Sequence, residues 1–512
     1  MGRAPLRQPL RTANRQRTSV SVSIPSGTGG WNGRDPWDQM KPEDAIILDN
    51  FIPTPGKLVL RNGYQPWATG LGGQVETGAE WAGPTSRKSI AAANGNLWDA
   101  TANAAATSLA SGFISNRWQT VNFKGRLFLG NGNDAPQDFD GATMSATAWT
   151  GPSANNALIQ PNVYRSRLYW TEAGSTKVWY GGVEAIQGAL TSFDIGGVAK
   201  YGGYLFFTQT WSRDTGAGSA EYLVFFMSTG EVLVYNGAFP SDATWTLVAR
   251  FKMGAPLSIR AAWNIGPELV CLTYDGLVQF SKVLSVGRAT PDTQVSDKLG
   301  SKVSDAVGEF GVLFGWEGLI YPNGNLIIVN VPATSGTLQY QFVMHTVSKA
   351  WCRFTGINAN TFWLYNNDLY FGGTDGNVYK ADTGRSDNGA NILGDVQTAY
   401  NYCGNRASNK SFEMVRPIIF TDGSIMPALD LETDFQSITP TSTPSFSGAP
   451  GTPWDTALWD TFKWGAGLSL QSNWVGVSGL GYSASIRMQV ATNSLQCTVQ
   501  SFDIVFQRGD FL

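Results

Sequence analysis

The chain has 512 residues, enough for two or more domains, and it carries 59 Gly, 19 Trp, 27 Phe and 17 Tyr with only 15% charged residues. Aromatics between glycine turns are strand and hairpin material, and long Ala/Glu/Lys/Leu helices are missing. A net charge of -3 argues against a folded surface that clings to nucleic acid as a whole.

Four scattered cysteines, Cys271, Cys352, Cys403 and Cys497, form no C-x-x-C pair, so neither a zinc knuckle nor a disulfide framework is signalled. They read as small buried residues of a reducing compartment. No run approaches the roughly 18 apolar residues of a membrane helix. The basic N-terminus lacks the apolar core of a signal peptide, and synthesis and assembly in the cytoplasm are expected.

Residues 1–28 read as a basic extended arm. Arg3, Arg7, Arg11, Arg15 and Arg17 stand in its first 17 residues without one acid. Such a stretch is solvated, ordered against a neighbouring subunit, or laid on a nucleic-acid backbone. Residues 29–77 form a connecting segment. Within it, MKPEDA at residues 40–45 predicts a short helical turn with acids in its first turn. The alternating KLVLRNGY at residues 57–64 predicts a strand, assigned to closing a β-ring.

Residues 78–395 read as a β-propeller. The clearest stretch is residues 349–382, KAWCRFTGINANTFWLYNNDLYFGGTDGNVYKAD, where four short runs (351–354, 362–365, 369–372 and 378–380) are separated by turns. Asn366-Asn367 and Asp375-Gly376 tolerate the positive φ of tight hairpins. Four antiparallel strands in about 35 residues make one blade, which needs neighbours on both faces. Weaker copies recur upstream, including WQTVNFKGRLFLGNG, RSRLYWTEAGSTKVWYGG and EYLVFFMSTGEVLVYNG, and six or seven blades fit. One interruption, residues 292–310, sets Val295, Leu299, Val303, Val307 and Phe310 at helical spacing and predicts an amphipathic helix between blades.

Residues 396–512 change texture to longer strands with period-two alternation. In SASIRMQVA, Ile486, Met488 and Val490 point one way and Arg487 and Gln489 the other, predicting a C-terminal β-sandwich. The expected fold class is therefore all-β: a propeller, a sandwich and an N-terminal arm.

Three stretches resemble the tail nozzle, or tail tubular protein B-like, virion proteins of short-tailed phages. The first runs from Gly29-Gly30-Trp31-Asn32 through Asp49-Asn50-Phe51 and Pro55-Gly56 to Arg61-Asn62-Gly63. The second comprises Tyr321-Pro322, Asn330-Val331-Pro332, Ala350-Trp351 and Tyr370-Phe371-Gly372. The third comprises Lys410-Ser411-Phe412, Arg416-Pro417 and a ladder of Trp454, Trp459 and Trp464. The resemblance implies a structural protein of the virion tail: a homo-oligomeric, six-fold ring below the head-tail adaptor, with tail fibre proteins as further partners and double-stranded DNA crossing its channel at ejection. It also implies no enzymatic turnover, and no cofactor, metal or membrane insertion is expected. Arg3, Arg7, Arg11, Arg15, Arg17, Trp454, Trp459 and Trp464 are its expected subunit or adaptor contacts.

Catalytic chemistry has little footing. With a single histidine, His345, His-pair metal motifs are excluded, and a Ser/His/Asp triad would have to use that residue. No phosphate-binding G-x-x-x-x-G-K-[ST] loop is present. A propeller glycosidase needs paired carboxylates, but the sialidase-type Asp-box is incomplete at Ser241-Asp242-Ala243-Thr244-Trp245. Asp134, Asp138 and Asp140 are spaced unlike an EF-hand loop. The alternative function is host recognition, with surface glycan bound on exposed aromatics such as the Trp454, Trp459 and Trp464 ladder.

Overall fold

A computed structural model describes residues 19–214, 219–286, 295–334, 338–441 and 468–509. It is all-β, a propeller joined to a C-terminal β-sandwich. Six sheets stand as separate blades. The first four begin with the inner strands Thr77–Ala82, Gln119–Phe123, Leu158–Tyr164 and Leu205–Asp214, each followed outward by three more antiparallel strands. The fifth has three strands from Ala262–Ile265 and is followed by the helix Phe280–Val286.

The last blade comprises Ala359–Tyr365, Asp368–Gly373 and Val378–Ala381, with Tyr64–Ala68 as its fourth strand. Between the fifth and last blades, the meander from Glu317–Tyr321 to Trp351–Thr355 fills a seventh inner position. It is not a free-standing blade, because its sheet continues through Asp44–Asp49, Ile392–Thr398 and Ala484–Thr492 to Ala428–Thr433, nine strands in all.

Residues 349–382 thus contain four strands, but these do not form one blade. Trp351–Thr355 pairs back onto Leu338–His345, and the missing strand arrives from the N-terminal segment. The turn chemistry stands: Asn366 and Asn367 have φ of 51° and 64°.

The closing strand is likewise one step later than the sequence predicts. Lys57–Leu60 forms a hairpin with Phe51–Thr54 and touches Cys497–Arg508, burying Leu58 and Leu60 in the sandwich. The chain then crosses to the propeller at Gly63, where a Cβ would lie 1.9 Å from the Ser386 carbonyl oxygen, so only glycine passes. The helical turn expected at residues 40–45 is reduced to one turn, closed by the Asp44 amide on the Lys41 carbonyl at 3.0 Å. Asp44–Asp49 is a strand, favoured by its two isoleucines and by burial of Asp44 against Lys298 Nζ at 2.6 Å. The predicted interblade helix is present as Ser301–Phe310, which buries Val303, Ala306 and Val307.

Adjacent sheets interlock where a ring on one meets a glycine on the next. A Cβ on Gly78 of the first blade would fall 1.9 Å from Trp363 of the last, and one on Gly318 would fall 2.2 Å from Trp263 of the fifth blade. In the sandwich, Ile486, Met488 and Val490 point inward as predicted and share a core with Phe412, Val415, Phe502 and Ile504.

Candidate functional site

The inner strands of a propeller face a common axis, and here that axis is polar and closed. Arg260 lies two residues before the first strand of the fifth blade and reaches across it. Its Nη2 donates to Thr77 Oγ1 and the Trp118 carbonyl, both at 2.8 Å. Nη1 donates to the Glu76 carbonyl at 3.0 Å, Glu317 Oε2 at 3.2 Å and Thr361 Oγ1 at 3.3 Å, and Nε to Gln119 Oε1 at 3.3 Å. A guanidinium has five N–H groups in a planar fork, and these contacts engage every nitrogen of it. One side chain thereby ties the fifth blade to the first, second and last, and to the shared sheet.

Glu317 is the buried counter-charge. Its carboxylate also accepts from the Phe362 amide and from Thr361 Oγ1 at 3.2 Å. Burial pushes its pKa up from the ordinary value of 4.5, against the pull of Arg260. The burial effect is the larger, because the Glu317 carboxylate has lost most of the water that would share its charge.

Two cavities flank this pair. One, of about 540 Å³, is lined by Glu76, Ile114, Arg117, Asn131, Val312 and Phe314 among others, and the second, of about 360 Å³, by Thr120, Gln160, Gln209 and Leu319. Arg260, Gln119, Ile259 and Glu317 line both, so they form the partition between them. Phe314 lies under two guanidiniums, Arg117 at 4.3 Å and Arg260 at 5.4 Å. With its donors engaged and its carboxylate accepting on both oxygens, the centre is built to brace blades together.

The sequence-predicted site residues are not gathered here. Arg3, Arg7, Arg11, Arg15, Arg17, Trp454, Trp459 and Trp464 lie outside the described residues. His345 is buried, with Nδ1 3.0 Å from Ser348 Oγ, and burial lowers its pKa. The three aspartates considered for calcium are separately engaged. Asp134 accepts the Ile114 and Ser115 amides, Asp138 pairs with Arg126, and Asp140 accepts the Ala142 and Thr143 amides. Among the described residues no group of three His, Cys, Asp or Glu side chains is placed to hold a metal ion. Arg260 and Glu317 were missed because each stands alone in SIRAAW and GWEGLI, with no motif to mark it.

A second charged centre joins the domains. Arg61 is 4% exposed and donates through Nη1 and Nη2 to the two oxygens of Asp387 at 2.8 and 2.6 Å, through Nε to Asn50 Oδ1 at 2.8 Å and through Nη2 to the Thr355 carbonyl at 2.8 Å. The connecting segment, the shared sheet and the loop after the last blade meet at this one side chain.

No protein-family model matches this sequence, and no curated protein matches it. Its structure is similar to BBS1N in complex with ARL6DN (TM-score 0.39, 7% identity, 63% of this chain and 97% of that one). It is also similar to YCF48 bound to D1 peptide (TM-score 0.37, 9% identity, 66% and 98%) and to an exo-beta-1,3-galactanase from Phanerochaete chrysosporium with galactose (TM-score 0.27, 10% identity, 76% and 95%). Likeness at this level concerns the fold alone.

Proposed function

We propose that this chain is a structural component of a phage tail, forming a hexameric ring-shaped nozzle below the head-tail adaptor through which double-stranded DNA passes at ejection. The observation that carries the reading is the nine-stranded sheet, which runs from a propeller meander through the N-terminal Asp44–Asp49 into the C-terminal sandwich, the meander meeting Asp44–Asp49 at the single pair Asp49 and Arg353, which their side chains also join as an ion pair. That joint, reinforced by the buried Arg61–Asp387 pair and by Arg61 on Asn50, ties the regions into one subunit suited to a tube wall and ill suited to hinge motion.

Residues that carry the sequence resemblance hold this joint and the sandwich behind it. Asn50 and Arg61 come from the first stretch, and the strand that begins at Trp351, in the second, supplies the Thr355 carbonyl. From the third, Lys410 Nζ is buried on the carbonyls of Asn405, Ser408 and Tyr482, at 2.6 to 2.9 Å, and Arg416 pairs with Asp503. In this reading DNA runs between subunits, because Arg260 occupies the propeller's own axis and a duplex, whose major groove alone is ~12 Å wide, has no room there.

Electron microscopy of the purified full chain tests the proposal, alone and with a head-tail adaptor. Six-fold rings with a duplex-wide channel are expected. Monomers or trimers under both conditions would overturn it.

A further inference from the structure

The outer sheet of the sandwich ends in two bare strands on opposite sides. Its order runs from Val475–Gly481 through Lys410–Thr421 and Cys497–Arg508 to Ser19–Pro25. Among the described residues neither terminal strand has a second ladder partner. Their sequences, VGVSGLG and SVSVSIP, contain no charged residue, so they lack the lysines with which proteins blunt an exposed edge. The face beside the first of them is apolar: Leu480 is 69% exposed, and Leu470, Trp474 and Met414 are also exposed.

The two edges are complementary. Every pairing between them is antiparallel, so over three pairings Ser19–Pro25 runs opposite to Val475–Gly481. A Ser19–Pro25 strand from a second copy, laid beside Val475–Gly481 in the same plane, therefore continues the antiparallel alternation. The faces agree with this. Ser19, Gln507, Ser411 and Leu480 lie in one row, and, beyond the irregularity at Phe412 and Met414 that shifts the register by two residues, Ser21, Val505, Met414 and Gly476 lie in another, with Ser19, Ser21 and Ser23 on one strand and Gly476, Ser478 and Leu480 on the other exposed on the same face.

Charge points the same way. Residues 1–17 hold five arginines, leaving 36 − 5 = 31 basic against 39 acidic residues, or −8, on the rest of the chain. In the paired arrangement Ser19 of one copy lies beside Leu480 of the next, one residue before Gly481. There the exposed Asp434 accepts the Tyr482 and Ser483 amides, and its Oδ2 would lie 2.7 Å from a Cβ on Gly481.

We propose that copies of this chain join head to tail by β-sheet extension, Ser19–Pro25 of one completing the Val475–Gly481 edge of the next. Such an interface uses two different surfaces, so it propagates and closes into a ring when the rotation permits. It rests on the ring reading above and specifies how the ring is held.

Paired cysteines test it in the full chain. Within one copy the two edges are three strand spacings apart, about 14 Å at the usual ~4.8 Å per strand, whereas a disulfide needs Cα atoms within ~7 Å. The native cysteines are all buried. Ser21→Cys combined with Ser478→Cys, with Ser19→Cys and Ser23→Cys as register alternatives, should give on mild oxidation a ladder of cross-linked species in steps of one 55.2 kDa chain. Each single variant should give no ladder. Rings seen by microscopy in the same samples without a cross-link in any register would overturn sheet extension and leave the ring standing. Absence of both rings and cross-links would overturn both proposals.

Discussion

Replacing Arg61 with alanine removes the guanidinium and leaves the Asp387 carboxylate buried without its cation, beside an unpaired Thr355 carbonyl. Breaking a buried pair from one side costs about 3–5 kcal/mol, a large share of the 5–15 kcal/mol typical of a domain. The loss should appear locally. Asp387 bridges to Tyr64, and Tyr64 begins the strand that closes the propeller on Val378–Ala381. Hydrogen exchange at the amides of these two strands reports opening of that closure. At ~1.4 kcal/mol per power of ten, exchange there should quicken roughly a hundredfold to a few thousandfold. Arg61→Met combined with Asp387→Leu removes both charges and should recover most of the loss. Unchanged exchange in Arg61→Ala would refute the reasoning, since it would mean that the pair is hydrated and contributes little.

Glu317 is harder to ionise in the fold than in the unfolded chain, so above pH 4.5 the unfolded chain loses this proton first and stability falls as pH rises through the raised value. Urea midpoints for Glu317→Gln should lack that part of the decline, and identical wild-type and variant profiles would contradict the assignment. Burial pushes all four thiols up, Cys403 to about 11 and Cys497 to about 12, so a thiol-reactive disulfide at pH 8 should label none in the native protein and all four in urea. Gly78→Ala drives a methyl into the Trp363 indole and should lower stability by ~1–3 kcal/mol. Thermal melting would show it, and Trp363→Leu in the same chain should restore part of it.

The strands and turns were legible because their signals are local. Asn366-Asn367 marks a tight turn wherever the hairpin sits, and the three- to four-residue spacing of Val303 and Val307 marks a helix face wherever the helix packs. What pairs with what was not local. The alternation in residues 57–64 says that Leu58 and Leu60 are buried, but nothing in it distinguishes a sandwich core from a propeller core. The closing strand Tyr64–Ala68 alternates poorly, and two of its five residues are exposed, so its role is visible only from Val378–Ala381, some 310 residues later. Arg260 was hidden for the same reason: its partners Thr77, Gln119, Glu317 and Thr361 are brought to it only by closure of the ring.

Both closures in this chain are made by its beginning on its end. Tyr64–Ala68 waits for Val378–Ala381, and Ser19–Pro25 waits for Cys497–Arg508. Pairings at such separation form late, because the loop must close before any contact rewards it. The bare Ser19–Pro25 edge is therefore aligned for pairing with another copy only once the last strand of its own chain is in place. A chain cut short before residue 497 has neither the seat for that strand nor the partner of Lys410–Thr421 that orders the opposite edge. Sheet extension between copies would then be reserved for complete, folded subunits, and the same delay would keep two uncharged, aggregation-prone edges from being presented together on unfinished ones.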